Sequence, residues 1–121
     1  MIEKIIKDYL QDSLGLPARM EEEDNLGTEY VLVEKTGSGA ENHISQATLA
    51  IQSYSTSMYK AAALNERVKE AMEKSIELDD ISRCELNSDY NYSDTGKKKY
   101  RYQAVFDIVY YSEEEEWIQK M

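Results

Sequence analysis

The chain is short of the residues that build most recognisable sites. It contains one cysteine, Cys84, and one histidine, His43, which excludes an intramolecular disulfide, a multi-histidine metal centre and a Cys₂His₂ finger. No apolar run approaches the ~18–20 residues of a membrane-spanning helix. The opening MIEKIIKDYL lacks the apolar stretch and small-residue cleavage site of a secretory signal, so the expectation is a cytosolic translation product. Bases are scarce as well: 14 Lys+Arg stand against 24 Asp+Glu, for a net charge of −10. Binding to phosphate backbones depends on Lys and Arg releasing counterions, so this balance opposes sequence-independent nucleic-acid binding. The acid excess is spread over both halves of the chain, and neither end is a basic arm.

What is present describes one globular domain, residues 1–121. At 121 residues, with 41% hydrophobic and 31% charged side chains and a single proline, the chain is long enough to bury a core and too apolar to stay disordered. Its one unusual number is 10 Tyr against 1 Phe and 1 Trp. Tyrosine joins a large apolar body to a polar tip, which suits half-buried positions and protein interfaces.

Ile2, Ile5, Ile6, Tyr9, Leu10 and Leu14 recur at helical spacing between charged residues, and the pattern predicts an amphipathic helix ending near Ser13 or Leu14. Gly15 suits its C-terminal cap, and Pro17 cannot continue it. PARMEEED reads as a short edge strand entering an acidic turn. TEYVLVEK reads as a strand covered on both faces, and TGSGAEN as a glycine-containing turn or flexible loop, residues 35–42 being expected to move. Ala47, Leu49 and Ile51 alternate with polar residues over 44–54, which predicts a long half-buried strand. Over residues 57–78 the period lengthens. Ala61, Leu64, Val68, Ala71, Met72 and Ser75 form one helical stripe, with Ser55 or Ser57 as N-cap and Glu70–Lys74 as an i,i+4 ion pair. A hairpin follows: ISRCELNSDYNY, a turn over residues 93–99 also expected to be mobile, and YRYQAVFDIVYY. In the last strand Tyr100, Tyr102, Ala104, Phe106, Ile108 and Tyr110 share a face, with Arg101, Gln103, Asp107 and Tyr111 opposite. Residues 112–121 form an acidic tail, either frayed or a short helix held by Trp117 and Ile118. The expected fold is α+β, a mainly antiparallel sheet packed against two helices in the order α-β-β-β-α-β-β.

None of the candidate constellations is a strong chemical signature. His43 beside Glu41 has no nucleophile that spacing can assign to it, and a loop histidine that satisfies backbone groups is the simpler reading. Cys84 lies on a strand among Asp80 and Glu85, the setting of a small buried hydrophobe rather than of an activated thiolate. Gly37-Ser38-Gly39 matches no phosphate-cradling motif. Asp89, Asn91 and Asp94 lack the spacing of a calcium loop, and turn formation accounts for them. Lys97, Lys98 and Lys99, with Arg101, make the one basic cluster, either a solvated hairpin tip or a contact to an acidic partner surface. No catalytic, cofactor-binding or metal-binding residue is assigned.

The run YVLVEKTGSGAENHISQATLAIQSYS, followed by AAALNERVKEAM, LDDIS, LNSDYNYSDT and YRYQAVFDIVYY, resembles the tail terminator, or tail completion, proteins of long-tailed phages and prophages of Gram-positive bacteria. The likeness spans nearly the whole chain and is one of overall pattern, without a catalytic motif. It implies a small α+β virion protein, made in the host cytoplasm, that assembles as a hexameric ring on the head-proximal end of the tail. There it stops growth of the tail tube and offers a surface for head joining. The implied partners are further copies of the chain, the tail tube protein and a head-completion protein, with no membrane, no specific nucleic acid and no cofactor. Candidate assembly contacts are Lys35, Ser38, Glu41, His43, Lys97, Lys98 and Lys99. The competing expectation is an acidic DNA mimic or another small non-enzymatic binding module; a mimic concentrates its acids on one face, whereas here they are interspersed with Lys.

Overall fold

The computed structural model describes residues 1–41 and 44–111. The first helix, α1 (Ile2–Leu14), turns Ile2, Ile6, Leu10 and Leu14 inward, one residue per turn, so one narrow stripe is buried. Gly15 ends it in the left-handed region at φ 69°, donating its N–H to the Gln11 carbonyl at 3.0 Å. Strand β1 (Ala18–Arg19) follows Pro17 and pairs with Val31 and Leu32.

Strands β2 (Tyr30–Glu41) and β3 (Ile44–Ser55) form a hairpin of two 12-residue strands. Strand β2 runs through Glu41, which corrects the expected turn or flexible loop as far as residue 41. Glycine and serine weaken local strand preference, yet β3 offers an unbroken ladder, and cross-strand pairing decides the outcome. The irregularity that the glycines signal is confined to a bulge at Thr36, between Lys35 and Gly37. The tip over residues 93–99 contains a defined turn. A short 3₁₀ turn (Thr95–Lys97) is capped by Asp94 Oδ1, which accepts from the Lys97 N–H at 3.3 Å, and Asp94 and Lys99 exchange two backbone hydrogen bonds.

The second helix, α2 (Met58–Glu73), starts at Ser57, whose Oγ accepts from the Lys60 N–H at 3.1 Å. The stripe of Ala61, Leu64, Val68, Ala71 and Met72 is buried, and Ser75 continues it in a 3₁₀ turn (Lys74–Glu77) that tightens the helix end. Its Oγ returns a hydrogen bond to the Met72 carbonyl at 2.6 Å. The ion pairs of α2 differ from the expected Glu70–Lys74 pair: Lys69 reaches Glu66 and Asp89, each at 2.9 Å.

Strands β4 (Ile81–Asn91) and β5 (Tyr100–Tyr111) complete a five-stranded sheet of order β1-β2-β3-β5-β4, antiparallel except for β1. The fold is α+β, with both helices on one face. That face supplies Val31, Val33, Ala47, Leu49, Ile51, Ala104, Phe106 and Ile108 to a core shared with the two helical stripes. Edge strand β4 is broken by bulges at Ser82 and Asn87 and carries the Arg83–Glu85 ion pair, features that hinder unwanted strand addition. No helix among the described residues is long and apolar enough to cross a membrane. The acidic tail of residues 112–121 lies outside the described residues.

Leu64 is 2% exposed and Val68 fully buried. Leu64→Ala is expected to lower unfolding free energy by about 2–5 kcal/mol. Val68→Asp, which places an unpaired charge in the core, is expected to unfold the domain. Urea denaturation followed by circular dichroism checks both, and unchanged midpoints would mean that another helix face points inward.

Candidate functional site

The face of the sheet opposite the helices has no layer over it among the described residues, and strand register sets what it displays. Reading across β2, β3, β5 and β4, the pairing aligns Tyr30, Tyr54 and Arg101 in one row. The next holds Leu32, Gln52, Gln103 and Tyr90, and the third holds Glu34, Ala50, Val105 and Ser88. Beyond them lie Gly37, Thr48, Asp107 and Glu85, then Gly39, Gln46, Val109 and Arg83. Leu32 and Ala50 on this face are buried.

The first two rows form a connected aromatic and amide belt. Tyr30 and Tyr54 stack with centroids 4.7 Å apart and planes 10° from parallel. The Arg101 guanidinium lies 5.7 Å from the Tyr54 ring and 4.5 Å from that of Tyr92, donates to the Tyr54 hydroxyl at 3.0 Å, and donates through Nε to the Tyr92 carbonyl at 2.8 Å. Tyr54 donates onward to Gln52 at 3.1 Å, Gln52 donates to Gln103 at 2.9 Å, and Gln103 reaches the Tyr90 hydroxyl. Tyr90 and Tyr92 sit 6.0 Å apart. Rings fixed by stacking and hydrogen bonds have little rotamer freedom left to lose when a partner covers them. Tyr90 and Tyr92 remain 44% and 41% exposed, a pre-ordered apolar and polar surface. Farther along, the Asp107 carboxylate accepts from Thr48 Oγ1 and Asn87 Nδ2, each at 3.0 Å, so both its oxygens are held.

The expected contact residues do not gather here. Lys35 turns to the helix side, with Nζ 3.8 Å from Glu3 Oε1. Ser38 and Glu41 are exposed on the far arm of the β2–β3 hairpin, and His43 lies outside the described residues. Lys97, Lys98 and Lys99 occupy the β4–β5 tip at the opposite end of the sheet, since Ser55 pairs with Tyr100 while Ile44 pairs with Tyr111. Lys99 Nζ stands 3.8 Å from Glu22 Oε2 in the acidic turn. The residues that reasoning from sequence missed are Tyr30, Tyr54, Tyr90 and Tyr92 as a set. Their tyrosine excess was visible, but their adjacency follows from register.

Cys84 is half-buried on β4, and burial is the main influence pushing its thiol up from the usual value. Asn91 and Asp94 are used in the turn, Asn91 Oδ1 accepting from the Ser93 N–H at 2.9 Å. Among the described residues no three His, Cys, Asp or Glu side chains group as ion ligands. No protein-family model and no curated protein matches the chain.

Burial, and after it the hydrogen bond to Glu22 at 2.6 Å, holds the Tyr30 phenol well above its ordinary value of 10.0. A raised native pKa means that the unfolded chain ionises first, so this contribution is complete below about pH 10 and is lost as pH rises beyond it. Tyr30→Phe is expected to lose less stability than wild type between about pH 9 and 11, read by denaturant titration at each pH. Equal losses would show that Tyr30 ionises normally in the fold. The Cys84 thiol is expected to react with an aromatic disulfide reagent at neutral pH several-fold more slowly in the folded protein than in urea; equal rates would contradict its burial.

Proposed function

We propose that the chain is a non-enzymatic assembly subunit that acts as a tail terminator, closing into a ring on the head-proximal end of a phage tail tube, halting tube growth and presenting the surface for head joining. The observation that carries this reading is the open sheet face with its Tyr30–Tyr54–Arg101–Tyr92–Tyr90 belt. Tyrosine and arginine are the residues that most often supply the energy of protein interfaces, and here they are already locked in place around a row of amides. The β2–β3 hairpin supports the same reading, because residues 34–41 are exposed throughout and extend the sheet past the helices. Such an arm suits contact with a neighbouring copy or with the tube. The resemblance supplies the hexamer, the tube protein and the head-completion protein as partners.

A closed ring joins unlike patches of successive copies, so a change on one patch weakens every interface equally. Purified protein is expected to give a six-copy species by native mass spectrometry, and Tyr90→Ala/Tyr92→Ala is expected to remain folded and lose it. A monomer at every concentration, or a ring undiminished in the double variant, would overturn this role for the face. In the phage, deletion of the gene is expected to leave tails of abnormal length that fail to join heads; normal, head-joined tails would refute tail termination itself.

A further inference from the structure

A second surface lies on the helix side of the sheet, along the β4 edge. Helix α2 packs over β3 and β5 more fully than over β4, and the space left is a groove of about 420 Å³. Its floor is apolar: Cys84, Leu86 and Phe106, of which Leu86 is 48% exposed. Its rim comes from α2, as Glu66, Lys69, Glu70 and Glu73. Lys69 is committed to Glu66 and Asp89, which leaves Glu70 and Glu73 without an ion pair among the described residues. Among the described residues the groove therefore combines a partly exposed hydrophobic floor with two carboxylates that hold no ion pair, Glu70 also lining a neighbouring hollow with Arg67 and Lys74.

The complementary feature is the β4–β5 tip. Lys97 and Lys98 are exposed and hold no ion pair among the described residues, whereas Lys99 is turned toward Glu22. Lys98 sits at φ 54°, in the left-handed region that favours glycine, and the Asp94–Lys99 bridge and the Asp94 cap hold the turn in that shape. The tip thus presents two ammonium groups that hold no ion pair among the described residues. It cannot reach its own groove: six residues of extended chain from Leu86 to Tyr92 already span roughly 20 Å, and the tip lies beyond them.

From this pairing of an acidic, apolar-floored groove with a distant basic tip, we infer that the α2–β4 groove receives the Lys97–Lys98 tip of a second copy of this chain. The occupant is another copy because the matching charges are carried on the chain itself, at a distance that forbids contact within one molecule. The two patches differ, so the contact is head-to-tail and repeats from copy to copy. The inference rests on the self-assembly reading above and names the residues of one of its interfaces. Lysine stems cover Leu86 while the ammonium groups meet Glu70 and Glu73 at the rim. The edge strand is left free of any pairing role in the contact, in keeping with its bulges.

The test is reciprocal charge reversal on the full chain, with folding verified by thermal denaturation and assembly read by sedimentation velocity and native mass spectrometry. Lys97→Glu/Lys98→Glu and, separately, Glu70→Lys/Glu73→Lys are each expected to raise the concentration needed for assembly about tenfold or more, most strongly at low salt. The four-fold variant carrying both reversals is expected to assemble within about threefold of wild type, because the attraction is restored with its sign exchanged. If wild type assembles but either reversal leaves assembly unchanged, or the combined variant assembles no better than the weaker parent, the groove is not the acceptor and the self-assembly reading stands without it. If wild type never assembles, both fall together.

Discussion

Among the described residues, two amphipathic helices cover one face of a five-stranded sheet and leave the other face without a layer. The apolar stripes of α1 and α2 both settle on the same face, where burial of Ile6, Leu10, Leu64, Val68 and Met72 against Leu49, Ile51 and Ile108 makes the core. Hydrophobic burial is the dominant favourable contribution to folding, so this one-sided packing sets the strand register, and the register sets every side chain of the opposite face. The open face is therefore a consequence of the core. A one-residue slip that exposed Leu49 would also scatter Tyr30, Tyr54 and Arg101.

The elements that build the core were legible because their periodicity is undiluted. The inward stripe of α2 can be read residue by residue from Ala61 to Ser75, and the alternation of β5 from Ala104 to Ile108, since each apolar spacing matches one backbone period. The segment from Thr36 to Glu41 was not legible as strand. Glycine, serine and alanine carry little β preference, and what makes them extended is pairing with the facing hairpin arm from Ile44 to Thr48, which their own composition does not signal. The aromatic belt was half legible. The excess of tyrosine pointed to an interface, but Tyr30, Tyr54 and Tyr92 come from three distant parts of the chain and meet through register and a hairpin turn.

Charge divides the surface into regions with different uses. The belt contains one cation, Arg101, absorbed between two rings, and the sheet face near it is mostly hydroxyl and amide, so little ionic desolvation opposes its being covered. Acids collect instead on the outward side of α2 and in the turn of residues 21–24, and three successive lysines stand at the β4–β5 tip. A chain of net charge −10 repels its own copies at long range, so self-association requires either a neutral surface such as the belt or a local matching of opposite charge.

The proposed assembly role requires the open sheet face to become covered when the protein acts. Hydroxyl-radical footprinting of the isolated monomer and of the assembled form measures this directly, because Tyr90 and Tyr92 are accessible reporters on that face. Strong protection of both tyrosines in the assembled form is the predicted result. Equal labelling of Tyr90 and Tyr92 in monomer and assembly would contradict it.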